Sequence, residues 1–98
     1  MSDLVGEATR EDSAGRGRYF IRLARQAEAE LTYRWSGERT MIINHTYVPR
    51  AFEGRGIAAK LVNSVIADAR SEGFKITPLC SYVSALFSRH PEWSDLLA

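Results

Sequence analysis

Glu53-Gly54-Arg55-Gly56-Ile57-Ala58-Ala59-Lys60-Leu61-Val62, continuing through Val65, Ile66 and Ala69 to Glu72, is the stretch on which the reading of this chain turns. Ile57, Ala58, Leu61, Val62, Val65, Ile66 and Ala69 recur at i, i+1, i+4 and i+5, with Lys60, Asn63, Asp68 and Arg70 opposite. That spacing predicts an amphipathic helix over 57–72. Gly73 stands where a left-handed C-terminal cap is expected. Two glycines stand just before the first turn. A loop that enters a helix through Gly54-Arg55-Gly56 presents unpaired backbone N–H groups at the positive end of the helix dipole, a place suited to phosphate. Glycine allows close approach of the backbone and permits positive φ. Arg50, Arg55 and Lys60 add local positive charge. As a bare pattern, Gly-x-Gly before a helix also marks ordinary strand-to-helix turns. The Gly-Lys-Ser/Thr ending of a nucleotide P-loop and the third glycine of a dinucleotide fold are both missing.

Strand patterns precede this segment. Tyr19, Ile21 and Leu23 alternate within 18–24, and Ala29, Leu31, Tyr33 and Trp35 alternate with Glu30, Thr32 and Arg34. Ser36-Gly37-Glu38 supplies turn chemistry, and a third strand is expected over 40–48, stopped by Pro49. Phe74 to Pro78 resumes an extended pattern. Tyr82, Val83, Leu86 and Phe87 then form a helical stripe over 81–90, with Ser81 as the expected N-cap and Pro91 as the stop. Trp93, Leu96 and Leu97 are placed to fold back on the core. Residues 1–16 show no clear period, and a partly flexible N-terminus is expected there. The order strand, strand, strand, helix, strand, helix reads as an α/β (α+β) fold, with a mixed, mostly antiparallel sheet and two helices.

Composition narrows the function. Ninety-eight residues suffice for one domain. Thirteen Lys+Arg against twelve Asp+Glu leave a formal charge of +1. That is no field for gathering nucleic acid or an acidic membrane, so neither is expected as a partner. No apolar run reaches the length of a membrane span, and no signal-peptide pattern opens the chain. The single cysteine, Cys80, cannot form an intramolecular disulfide. A cytoplasmic, monomeric protein without a bound metal is expected.

The segment Glu53-Gly54-Arg55-Gly56-Ile57-Ala58 resembles the Gln/Arg-x-x-Gly-x-Gly/Ala signature of the GCN5-related N-acetyltransferase superfamily, with Glu53 in place of Gln or Arg. Four pieces are similar to the short, single-domain YjdJ-type branch: His45-Thr46-Tyr47-Val48-Pro49, Gly54-Arg55-Gly56-Ile57-Ala58, Pro78-Leu79-Cys80-Ser81-Tyr82-Val83 and Arg89-His90-Pro91-Glu92-Trp93. That branch also tolerates Glu at the first position. The resemblance covers the chain from about residue 17 onward. It implies a truncated acyl-CoA N-acyltransferase fold over 17–98, lacking the helices that usually shape the acceptor side. It further implies acetyl-CoA as cofactor and an amine acceptor: a protein lysine, an N-terminus or a small amine. The amides of 55–59 would hold the pyrophosphate, with Glu53, Gly54 and Lys60 also among the cofactor-binding residues and Glu53 standing where a usual pyrophosphate contact is made. Tyr47 and Val48 would pair with the pantetheine arm, and Tyr82 would lie near its thiol end.

Two residues are candidates for chemistry. Cys80 precedes a helix N-terminus, where the dipole favours thiolate, and an acetyl-cysteine intermediate is chemically feasible. The plainer reading of Cys80 is a small buried hydrophobe, and the resemblance tips the balance toward catalysis. His45 has a reference pKa near 6.5 that suits a general base, while a lone histidine beside Asn44 and Thr46 equally serves as a hydrogen-bond partner. His90 reads as a helix C-terminal dipole partner. Arg16, Arg18, Arg22 and Arg25 read as a solvated face or a phosphate-binding rim. A non-catalytic module that binds CoA or acetyl-CoA is the alternative to an enzyme.

Overall fold

The computed structural model describes residues 7–98. Residues 1–6, part of the stretch expected to be flexible, lie outside them. Five strands form one sheet in the order β1 (Thr9–Ser13), β2 (Arg16–Arg22), β3 (Glu28–Ser36), β4 (Thr40–Tyr47) and β5 (Lys75–Pro78). The first four are antiparallel neighbours, and β5 runs parallel to β4. A parallel pair needs a crossover, which is the helix α1 (Ile57–Glu72). A second helix, α2 (Ser81–Arg89), follows β5, and a 3-10 segment, Pro91–Leu96, comes after it. The mixed, mostly antiparallel sheet with two helices is the α+β architecture the sequence implies.

One face of the sheet is covered and the other is open. Tyr19, Ile21, Ala29, Leu31, Tyr33, Met41, Ile43 and Ile76 point into a single core. There they meet Ile57, Leu61, Val62, Val65, Ile66 and Ala69 of α1, with Val83 and Phe87 of α2 and Trp93 and Leu96 behind. Each large apolar side chain so buried contributes about 1.5–3 kcal/mol relative to exposure. Gly73 caps α1 at φ +80°, and its N–H bonds the Ala69 carbonyl. On the open face, Phe20 is covered by the Arg18 guanidinium, 4.1 Å above its ring.

Both ends of the sheet differ from the sequence reading. β1 pairs with β2 along Thr9–Ser13, inside the stretch without period. It is held by charge: Arg10 bonds Asp68 at 3.2 Å and Glu72 at 2.7 Å on α1, and Asp12 accepts from Tyr33 and from Trp35 Nε1. At the other edge, Leu97 bridges to Ile76 and the Ala98 N–H bonds the Ile76 carbonyl, so the chain end lies along β5. Ser81 is the first helical residue of α2 and Cys80 occupies the N-cap, one position earlier than expected.

Candidate functional site

β4 and β5 are paired only from Thr40↔Lys75 to Ile43↔Pro78. The Ile43 carbonyl takes the last bonds, from the N–H groups of Leu79 at 2.9 Å and Cys80 at 3.1 Å. Beyond it the two strands part. The cause is local to β4. The β3 register jumps from Tyr33↔Ile43 to Thr32↔His45, leaving Asn44 as an extra residue. Such a bulge bends its strand and ends pairing. Pro49 then removes a donor, and the chain turns through a 3-10 segment, Arg50–Phe52, toward α1.

The parted strands open onto a pocket of about 320 Å³, lined by Val48, Phe52, Glu53, Gly54, Gly56, Ile57, Ala58 and Tyr82. Gly54 and Gly56 lie in the left-handed region, at φ +81° and +77°. A side chain there would be strained, and nothing beyond the adjacent residues lies within 4 Å of where a Cβ would stand. The glycines therefore leave open space over the start of α1. Gly56 is the N-cap, with no side-chain hydrogen bond to the first turn and no acidic residue in it. The first intrahelical bond runs from Lys60 N–H to the Gly56 carbonyl at 3.0 Å. The preceding N–H groups, of Ile57, Ala58 and Ala59, have no intrahelical acceptor. Their positive end faces a concave, partly apolar space, which is a fit for an anionic group attached to an apolar chain.

Seven of the expected cofactor residues meet in this pocket: Val48, Glu53, Gly54, Gly56, Ile57, Ala58 and Tyr82. Arg55 adjoins it by stacking 5.3 Å from the Phe52 ring. Tyr47, Ala59 and Lys60 do not line it, and Tyr47 is half exposed. Phe52 is the wall residue that sequence reasoning misses. It lies in a short 3-10 turn with no apolar period to mark it.

Cys80 lies at the N-terminus of α2, part-buried, with its Sγ 3.5 Å from Thr46 Oγ1. Burial pushes the thiol up, but the Thr46 hydroxyl, with the N–H groups of Val83, Tyr82 and Thr46, outweighs it. The net position is below the ordinary thiol range. His45 is not brought to this thiol. Thr46 pairs with Leu31 on the covered face, whereas His45 pairs with Thr32 on the open face and is exposed. His90 caps α2, its N–H bonding the Phe87 carbonyl, and stacks 4.1 Å over Trp93 with Nδ1 2.9 Å from Glu92. Its ring thus serves the C-terminal turn. No helix among the described residues is long and apolar enough to cross a membrane, and no group of three or more potential metal ligands is found among them.

Comparison with known proteins agrees with this geometry. Residues 18–96 match the family model described as GCN5-related N-acetyl-transferase. The frog (Xenopus tropicalis) protein NATD1 is 35% identical over 63 residues, which cover 64% of this chain and 58% of that protein. Zebrafish (Danio rerio) NATD1 is 30% identical over 82 residues, covering 83% of this chain and 74% of its own length. The chain thus spans under two thirds of the frog relative. The NMR solution structure of a GCN5-like protein from Staphylococcus aureus superimposes with a TM-score of 0.71 at 26% identity. That match covers all of this chain and 91% of the other. With the strand parting, the open glycine turn and the family match in agreement, this chain belongs to the GCN5-related N-acetyltransferase family.

Proposed function

We propose that the chain is an acetyl-CoA-dependent N-acetyltransferase acting on an amine: a protein lysine, an N-terminus or a small amine. The observation that carries this reading is the uncapped start of α1 behind Gly54 and Gly56, facing the pocket where β4 leaves β5. Backbone N–H groups there suit a pyrophosphate, and Val48, Phe52 and Tyr82 supply apolar wall for the pantetheine chain. Beyond Ile43, β4 has no β5 partner, so the main chain of Tyr47 and Val48 is available to a strand-like ligand. Glu53, exposed at the rim, is the one carboxylate lining the pocket.

Acetyl-CoA, when bound, supplies the activated thioester. The protein's part is to hold it and to present its acetyl carbonyl either directly to the amine or to the Cys80 thiolate, which would take the acetyl group as CoA thiolate leaves and then pass it to the amine. The dipole of α2 and the Thr46 hydroxyl favour that ionised form. Incubation with acetyl-CoA followed by intact-mass measurement tests the role. An adduct of one acetyl group, absent in Cys80→Ala, supports transfer through the cysteine. Amine acetylation that persists in Cys80→Ala supports direct transfer.

A second reading, a module that binds CoA without turning it over, is favoured by one observation: His45, the candidate base, lies on the opposite sheet face from Cys80. Saturable CoA binding, with neither adduct nor product across a broad amine screen, would decide for it.

A further inference from the structure

The open face of the sheet carries a second concavity, of about 480 Å³, whose lining includes Arg16, Arg18, Thr32, Arg34 and Asn44 and one carboxylate, Glu11, which is bound to Arg18. Its charges are unevenly compensated. Arg18 bonds Glu11 at 3.1 Å, Glu28 at 2.9 Å and Glu30 at 3.1 Å, so its charge is more than offset and it has no guanidinium charge to spare for a ligand. Arg16 and Arg34 are exposed and enter no salt bridge among the described residues. They are also direct Cα partners across β2 and β3. Like charges directly opposite destabilise an antiparallel ladder. At the far end of the same ladder Arg22 faces Glu28, a compensated pair at 4.0 Å. The uncompensated pair is therefore confined to the concave site.

The site also has polar donors and a position relative to the cleft. Thr32 Oγ1 donates to Asn44 Oδ1 at 2.5 Å, which leaves the Asn44 carboxamide nitrogen as a donor. Asn44 is the extra residue of the β4 bulge, next to Ile43, where β4 and β5 part. Asn44 thus places one end of the concavity, on the open face, at the position along β4 where the β4–β5 ladder ends and the cofactor cleft begins on the other face.

We propose that this concavity is the acceptor site and that the acceptor is an amine bearing a carboxylate, held by Arg16 and Arg34 and oriented by Asn44. The proposal rests on the transferase reading and adds the substrate class. Guanidinium groups match a carboxylate through paired, charge-assisted hydrogen bonds, and a bound carboxylate removes the repulsion between the two arginines. A neutral amine of the same size gains neither.

β-Alanine and β-alaninamide differ only in that group. With acetyl-CoA present, β-alanine is expected to have a KM lower by about tenfold or more, the worth of a charge-assisted contact. In Arg34→Gln the ratio falls to about one. Binding is followed separately by amide chemical shifts: β-alanine is expected to move Gly17 and Asn44, and β-alaninamide to leave them in place. Arg34→Glu places a carboxylate opposite Arg16, so it is expected to raise the melting temperature and abolish those shifts. Equal KM values in a protein that binds acetyl-CoA would overturn the acceptor class and leave the transferase reading standing. Shifts that persist in a folded Arg34→Glu would overturn the site itself. Failure of acetyl-CoA to bind refutes the transferase reading, while the shift titration still decides whether the arginines hold a carboxylate.

Discussion

Ala58→Glu should weaken CoA binding while leaving the fold intact or slightly more stable. Ala58 is the second helical residue of α1 and lines the pocket at the start of the cleft. It is partly exposed, and an added side chain has the pocket to enter. A carboxylate about 6 Å from a phosphate charge, at an effective dielectric of about 20, costs about 3 kcal/mol. That is a loss of about a hundredfold in affinity. The same carboxylate in a first turn that has no acidic residue complements the helix dipole and contributes about 0.3–1 kcal/mol. For a domain of this size that is a rise of a few degrees in melting temperature, on a scale of about 4–8 °C per kcal/mol. Isothermal calorimetry with CoA and a thermal melt, run on both proteins, measure the two effects. Opposite signs distinguish loss of a site from loss of the fold. Equal dissociation constants for CoA in the two proteins would refute the assignment of this helix start to the pyrophosphate.

Other outcomes follow from the same geometry. Thr46→Val removes the hydroxyl beside Cys80, so the pH midpoint for iodoacetamide alkylation should rise; an unchanged midpoint would show that Thr46 does not tune the thiol. Gly17→Ala should destabilise by about 1–3 kcal/mol in urea unfolding, because a Cβ there would run into the Glu11 backbone carbonyl and stand 2.5 Å from the Tyr33 hydroxyl; a cost near zero would mean that β1 and β2 adjust freely. Tyr33, pushed up to about 12 by burial and by its bond to Asp12, contributes stability that is full below pH 10 and is lost as pH rises from 10 toward 12. Tyr33→Phe should reduce the slope of stability across that window, leaving the part due to Tyr19, whose hydroxyl is also pushed up by burial and its bond to Asp68. Alkaline titration of the melting temperature checks this.

Where apolar period and burial coincide, the elements are legible. α1 runs over 57–72 because its stripe is the one the core accepts, and Gly73 ends it with a residue that tolerates positive φ. β1 is not legible because Arg10, Glu11 and Asp12 hold it by ion pairs and leave no apolar alternation. The Asn44 bulge carries no glycine or proline to announce it and arises from pairing with β3. The glycine turn of the site is local, so its residues stand together in the chain. The contact of Thr46 with Cys80 joins positions 34 apart, and the partnership of Arg16 with Arg34 depends on strand register. Charge pattern alone leaves Arg16 and Arg18 alike. The carboxylates at Glu11, Glu28 and Glu30 separate them only once the ladder is formed.

The most direct measurement is an amide-resolved NMR titration of the protein with CoA. Saturable shifts centred on Gly54, Arg55, Gly56, Ile57, Ala58 and Ala59, with smaller ones at Val48 and Tyr82, are the expected result. No shift at those amides under saturating CoA, or shifts confined to another part of the molecule, would contradict it.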